Sequence, residues 1–256
     1  MGHPVYFIGA GPGDPELLTK RADKILKTCP VVYVPPLFDI TFAELLKNKE
    51  TLVPFDFYFE ELVQKVAGQA RQVPVAFLVP GDLAFFSPFQ PLVDQFGDQA
   101  VVVPGVGAVN AASALLKKTL DLPGVCNRTI LASPRTLGEG PGAPTMQDLA
   151  APGVSLIIYM NNMPLDELVT QLRQGYQQNV PIALAHRIGL PDEEILIGSL
   201  DDIVNKAHQR DYFSLNGPGK RPALTLVLVG ESLAAITDGS WWNYRRDHIW
   251  KVDQNG

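Results

Sequence analysis

Three short apolar runs in the first half of the chain each stop in a turn built on glycine. Val5–Ile8 runs into Gly9-Ala10-Gly11-Pro12-Gly13, Val75–Val79 into Pro80-Gly81-Asp82, and Ala100–Val103 into Pro104-Gly105-Val106-Gly107. Runs of this length bounded by Gly and Pro read as buried strands. Helical spacing fills the intervals. Leu18, Ala22, Ile25 and Leu26 share one face after the first turn, and Ala108–Leu116 is a helix of small residues after the third. Strands alternating with helices imply a mostly parallel sheet, whose strand C-termini line one edge. In open α/β sheets, ligands bind at that edge. Three glycine-rich turns on one edge exceed what turn chemistry alone requires.

The first helix is expected to start at Asp14 as cap, with Pro15 at its first position. A further strand is expected at Val31–Val34, closed by Pro35-Pro36. The rhythm breaks at Lys117–Asn127, which is taken as a domain boundary. Beyond it lie apolar runs at Thr129–Ala132, Val154–Tyr159, Ile182–Ala185, Ile195–Ile197 and Leu224–Val229. Helical patterns cover Pro164–Gln174 and Leu200–Gln209. Glu193–Ile197 follows its predecessor so closely that a hairpin is expected, making this second sheet mixed. The expected architecture is two α/β domains, 1–117 with a mostly parallel sheet and 128–235 with a mixed one, then a tail, 236–256. Pro134–Pro144 holds three Gly and three Pro and reads as a loop and candidate lid; Asn216–Pro222 reads as another loop. The tail segment Trp241-Trp242-Asn243-Tyr244-Arg245-Arg246 has two readings: a segment packed on a domain or a second copy, or an edge of the substrate site.

Composition narrows the function. The 256 residues carry a net charge of −6, which disfavours a nucleic-acid surface and requires any acidic ligand to meet a local cationic cluster. The two cysteines, Cys29 and Cys126, are far apart and in no metal spacing, so neither a disulfide framework nor a cysteine-built metal site is expected. A reducing cytoplasm is the expected compartment. No apolar run approaches the ~18 residues of a membrane span, and Val5 already begins a strand, leaving no room for a signal peptide.

The first turn is not a dinucleotide fingerprint. Asp14 stands where the third glycine belongs, and the second strand ends in Pro35-Pro36 without a carboxylate. A carboxylate at that helix start also opposes a pyrophosphate. No Gly-Lys-Ser/Thr follows, so a P-loop fails as well. What remains is a backbone free to approach a ligand closely, with a carboxylate beside it.

The stretch Val5-Tyr6-Phe7-Ile8-Gly9-Ala10-Gly11-Pro12-Gly13-Asp14-Pro15-Glu16-Leu17-Leu18-Thr19 closely resembles the opening motif of the tetrapyrrole methylases, the class III S-adenosylmethionine-dependent methyltransferases. Pro104-Gly105-Val106-Gly107-Ala108, Ile157-Ile158-Tyr159-Met160, Pro181-Ile182-Ala183 and Thr225–Gly230 are similar to their later motifs, so the resemblance spans nearly the whole chain. Within that family, Asn161 through Leu165, the Arg187…Pro191-Asp192-Glu193 segment and Tyr244-Arg245-Arg246 are most similar to the precorrin-4 C11-methyltransferases of cobalamin synthesis. The chain departs from the family where Gly-Asp-Pro is Gly81-Asp82-Leu83, where Tyr-Gly is Phe86-Ser87, and where a Thr-Arg…Gly-Arg-Thr-Pro stretch is Ala132-Ser133-Pro134-Arg135 then Gly138-Glu139-Gly140-Pro141.

The resemblance implies S-adenosyl-L-methionine as donor, S-adenosyl-L-homocysteine as product, a tetrapyrrole acceptor and a homodimer, with no metal. It places the donor against Pro12, Pro80, Gly81, Asp82, Phe85, Gly107, Ala108, Tyr159, Met160, Ala183 and Thr225. Asp82 is either a polar contact to the donor or a loop cap. Asp14 is the catalytic candidate, orienting the acceptor or accepting its proton; a cap is its other role. A carboxylate-rich acceptor calls for arginine. Of Arg21, Arg128, Arg135, Arg187, Arg245 and Arg246, Arg135 and Arg187 are the first candidates. Methyl transfer is an in-line displacement, for which positioning can supply up to ~7–11 kcal/mol, so the lack of a catalytic dyad agrees with it. Two other readings stand beside this one: a methyltransferase of the same fold acting on a non-tetrapyrrole acceptor, as diphthine synthases and ribosomal RNA ribose methylases do, and a non-catalytic protein that binds S-adenosylmethionine or a tetrapyrrole.

Overall fold

The structure, a computed structural model, describes residues 2–138, 140–208, 210–214 and 224–250. The expected 216–222 loop and Glu139 lie outside them. The first half contains β1 (Val5–Gly9), α1 (Lys20–Thr28), β2 (Val31–Tyr33), α2 (Phe38–Thr41), α3 (Ala43–Leu46), β3 (Glu50–Leu52), α4 (Phe59–Gln69), β4 (Val75–Val79), α5 (Gln90–Phe96), β5 (Ala100–Val103) and α6 (Ala108–Leu116). The second contains β6 (Arg128–Ala132), α7 (Met146–Leu149), β7 (Val154–Ile158), α8 (Leu165–Tyr176), β8 (Pro181–His186), β9 (Glu194–Ser199), α9 (Ile203–Lys206), β10 (Thr225–Val229) and α10 (Ser240–His248).

Two five-stranded sheets result. The first has the order β3-β2-β4-β1-β5 and is parallel throughout, so the ends of β1, β4 and β5 share one edge. The second, β6-β7-β10-β8-β9, is mixed: β6 and β7 are parallel, and β10 runs antiparallel between β7 and β8. The expected hairpin is β8–β9. The fold class is the one expected, two α/β sheets of these kinds.

Alternation along each strand divides the cores. In the first sheet, Ile8, Val32, Ala76 and Leu78 pack toward α1–α3, while Phe7, Tyr33, Val75 and Phe77 pack toward α4 and α5. Rings of Tyr33, Phe77 and Phe7 stack in sequence, 4.5 and 5.1 Å apart. In the second sheet, Leu156, Ile158, Ile182, Leu184 and Val227 pack against α7–α9. The opposite face, Ile157, Ala183, Ala185, Leu226 and Leu228, receives Ala111 and Ala112 of α6. Helix α6, which follows β5 of the first sheet, therefore packs on the second, and its small residues let the helix approach that sheet closely.

Several elements differ from expectation. Asp14 does not cap the first α-helix. It caps a 3-10 turn, Pro15–Leu17, accepting the Glu16 N–H at 2.8 Å, and α1 begins at Lys20 under Thr19, whose Oγ1 accepts the Ala22 N–H. Pro15 removes an N–H that a first turn leaves unpaired anyway, and the break lets the chain bend before α1. The helix expected over 200–209 shortens to Ile203–Lys206. Edge strand β3 has no apolar run to announce it: two of its three residues are exposed. The tail forms α10, which buries none of its residues.

Candidate functional site

At the shared edge of the first sheet the three glycine turns interlock. Gly11 and Gly81 exchange both backbone hydrogen bonds, at 3.1 and 2.8 Å. A Cβ on Gly9 would lie 2.7 Å from Gly105 Cα, and one on Gly105 would lie 2.6 Å from Gly9 C. Backbone stands against backbone here, so only glycine fits. Gly81 has φ +66, the left-handed region that costs glycine nothing. The expected polar residue Asp82 braces this edge: Oδ1 accepts the Ala84 N–H and Oδ2 the Gly105 N–H, both at 2.8 Å. Pro80, Phe85, Gly107 and Ala108 lie on the same loops. A Cβ on Gly107 would meet only Asn110 Oδ1, at 3.0 Å, so the space beside this N-cap of α6 is open. No side chain of its own segment caps α6.

The second sheet presents the ends of β7 and β8 to this edge. Tyr159, next after β7, is half-buried against α6. Burial raises its phenol pKa, while a hydrogen bond from the Val109 backbone works the other way. Met160 follows with φ +50 and is partly exposed. Leu224 and Arg187, flanking β10 and β8, have φ +52 each, and Phe86 has φ +54. Non-glycine residues in this region carry strain and gather at binding sites. Ala183 is fully buried and faces α6.

Thr225 is placed differently from its neighbours. Its strand register pairs it with His186, on the face turned toward α7–α9. Its Oγ1 donates to the Tyr212 carbonyl and is 2.7 Å from His186 Nδ1, so the imidazole N–H sits on Nδ1. The hydroxyl is therefore committed away from α6. Burial, then the charges of Arg210 and Arg187, lower the His186 pKa, against the pull of Asp192 and Glu194.

The two arginine candidates separate. Arg187 is largely buried and its Nε donates to Asp192 at 2.7 Å. Burial opposes the Asp192 charge, yet the Arg187 hydrogen bond and charge hold its carboxyl below the usual range. Arg135 is exposed, in a 3-10 turn Pro134–Thr136 after β6. Pro12, Gly13 and Asp14 pack on Gly189, two residues beyond Arg187. Cys29 and Cys126 are buried and unpaired, and no cluster of metal-ligating side chains occurs among the described residues. No helix described is long and apolar enough to cross a membrane. A separate groove of about 570 Å³, lined by Asn162, Met163, Arg210, Tyr212 and Phe213, lies on the far face of the second sheet.

Residues 4–204 match the family model of the Tetrapyrrole (Corrin/Porphyrin) Methylases. The chain belongs to this family. The methylase is 31% identical over 254 residues to the precorrin-4 C(11)-methyltransferase of Pseudomonas aeruginosa, covering 96% of this chain and 98% of that one. Its fold is similar to a cobalt precorrin-4 methyltransferase of cobalamin biosynthesis at TM-score 0.73 and 23% identity, over 91% and 96% of the chains. It is also similar to a uroporphyrin-III C-methyltransferase from Thermus thermophilus complexed with S-adenyl homocysteine, at TM-score 0.65 and 24% identity, over 92% and 95%.

In this methylase the glycine edge and the Tyr159–Met160 strand end were legible from sequence. Two residues that pack at this edge were not singled out from sequence. Gly189 holds the first loop against the second sheet, and its only signal is a glycine in Arg187-Ile188-Gly189-Leu190-Pro191. Phe86, noted above as a departure, packs its ring on Tyr159 at 5.0 Å.

Proposed function

We propose that this tetrapyrrole methylase moves a methyl group from S-adenosyl-L-methionine to a ring carbon of a corrinoid precursor near the precorrin-4 stage of cobalamin biosynthesis. The observation that carries the reading is the interlocked Gly9–Gly81–Gly105 edge, whose β4–α5 loop packs Phe86 on Tyr159, in a chain aligned almost end to end with a precorrin-4 C(11)-methyltransferase. The site suits such a donor: small residues and exposed backbone leave room beside Gly107, and no side chain of the segment caps α6. When bound, the donor supplies an electrophilic methyl on a sulfonium.

The chain's residues hold the geometry. Pro12, Pro80, Gly81, Phe85, Gly107, Ala108, Ala183 and the Thr225 backbone shape the donor side, with Tyr159 and Met160 closing it. Asp82 acts by fixing the loops that approach the donor. Asp14 faces the acceptor end, to orient it or take its proton. Arg187, aligned by Asp192, and Arg135 meet acceptor carboxylates by charge-assisted hydrogen bonds. We assign the two sheets to domains 1–117 and 128–235 and the rest to a tail whose aromatic residues and arginines form an interface with a second copy. The enzyme works in the cytoplasm.

Calorimetric titration with S-adenosylhomocysteine tests the donor site, with binding expected near micromolar, about −8 kcal/mol. Gly107→Leu should abolish it without unfolding the chain. Methyl transfer to precursor tetrapyrroles, read by mass, tests the acceptor. Methylation of an RNA or protein and of no tetrapyrrole would overturn the acceptor assignment and leave the donor site standing.

A further inference from the structure

The loop between β4 and α5 is tied down at both ends and turns over 83–86 between them. Gly81 is paired with Gly11, and Asp82 bonds Ala84 and Gly105. Beyond that turn, Ser87 Oγ accepts the Phe89 N–H, and the buried Phe89 ring packs on Phe55 and Phe77 at 5.9 and 5.7 Å. Between these anchors Phe86 takes φ +54, a strained conformation for a residue with a side chain. An unrestrained loop would relax it. Its ring contact is with Tyr159, across from the first sheet to the second, at 5.0 Å and a 39° tilt. That geometry is within the favourable range for aromatic pairs.

Tyr159 is itself held on the first half of the chain, by its ring on Phe86 and by packing beside Val109, Ala111 and Ala112 of α6. The next residue, Met160, is again left-handed at φ +50. One aromatic contact thus joins strained Phe86 to Tyr159, the residue before strained Met160.

We propose that Phe86 is a positioning residue for methyl transfer. It clasps Tyr159, holds the Met160 strand end against the glycine edge, and sets how fast donor and product exchange. The inference rests on the donor site proposed above. It follows that the contact must loosen at each turnover, since donor and product pass between the loops it joins.

The test is stopped-flow release of S-adenosylhomocysteine from the full chain, with amide exchange of the ligand-free protein beside it. Phe86→Leu should speed release roughly two- to tenfold, the span of one aromatic pair. Phe86→Tyr, which restores a ring, should return it to the wild-type rate. Because one contact is removed either way, Phe86→Leu with Tyr159→Leu should release no faster than the quicker single variant. Wild-type release rates in Phe86→Leu, or rates that multiply in the double variant, would overturn the clasp. If wild-type protein binds no S-adenosylhomocysteine, the donor site fails instead. Amide exchange then still decides the contact: Phe86→Leu should raise exchange at both 83–87 and 159–161, and no change at 159–161 refutes it.

Discussion

Gly13 and Gly189 meet so closely that neither has room for a side chain. A Cβ on Gly189 would stand 3.0 Å from Gly13 N and 2.8 Å from Asp14 N, and one on Gly13 would stand 3.0 Å from Gly189 O. Both have positive φ, +149 and +78. The first glycine turn of one sheet is thereby locked into the Arg187–Leu190 loop of the other. That lock sets the distance between Asp14 and the arginine end of the site.

Gly189→Ala should therefore destabilise the protein by about 1–3 kcal/mol, since backbone atoms must move and the left-handed conformation is strained. Thermal unfolding checks this. Gly68→Ala is the control: nothing lies within 4 Å of a Cβ there, in α4, so stability should rise by up to about 1 kcal/mol.

Asp82→Asn leaves one carbonyl oxygen to serve two N–H donors and turns an NH2 group toward one of them. Both the Ala84 and Gly105 bonds depend on that carboxylate. Losing a charged hydrogen bond costs ~1.5–3 kcal/mol. The expected result is a lower melting temperature and weaker S-adenosylhomocysteine binding together. A drop in affinity with unchanged stability would instead mark Asp82 as a direct donor contact.

His186 makes stability depend on pH. Its folded pKa lies below the ordinary 6.5, through burial first and then Arg210 and Arg187, opposed by Asp192 and Glu194, with Tyr212 edge-on to its ring. The unfolded chain therefore binds a proton first. Stability is complete above 6.5 and is lost as pH falls toward the folded value. Urea unfolding at about pH 7.5 and about pH 5.5 should show this decline, and His186→Gln should flatten it.

Arg135→Ala should weaken acceptor binding roughly ten- to a hundredfold through one lost charge-assisted contact, with donor affinity nearly unchanged. Arg187→Ala should do the same and also release Asp192, whose carboxyl titration, followed by NMR, should move up toward 3.8. A fixed Asp192 titration in that variant would mean the ion pair does not hold in solution.

The opening motif, the alternation of strands and helices and the hairpin at Glu194–Ser199 are local signals. Each is carried by residues a few positions apart, so periodicity and turn chemistry suffice to read them. The failures are equally physical. Leu18 shares the helical spacing of α1, yet Pro15 and the Asp14 cap fold Pro15–Leu17 into a 3-10 turn that leaves Leu18 extended, because a cap bond formed two residues on competes with continuing the helix. Strand β3 lacks a pattern because an exposed edge strand takes its place from backbone pairing with β2.

Sequence by itself determined the family, the two-sheet fold and the three glycine-rich turns that end β1, β4 and β5, since residue type, spacing and the absence of a Cβ are local properties. Only tertiary structure decided which way side chains face and what they meet. Thr225 is on the expected strand, but its register with His186 turns the hydroxyl away from α6. Phe86 and Tyr159 are 73 positions apart, and Gly13 and Gly189 are 176 apart. No local pattern encodes such pairs, because they form only when the packing of α6, which follows β5, against the second sheet brings two distant loops together.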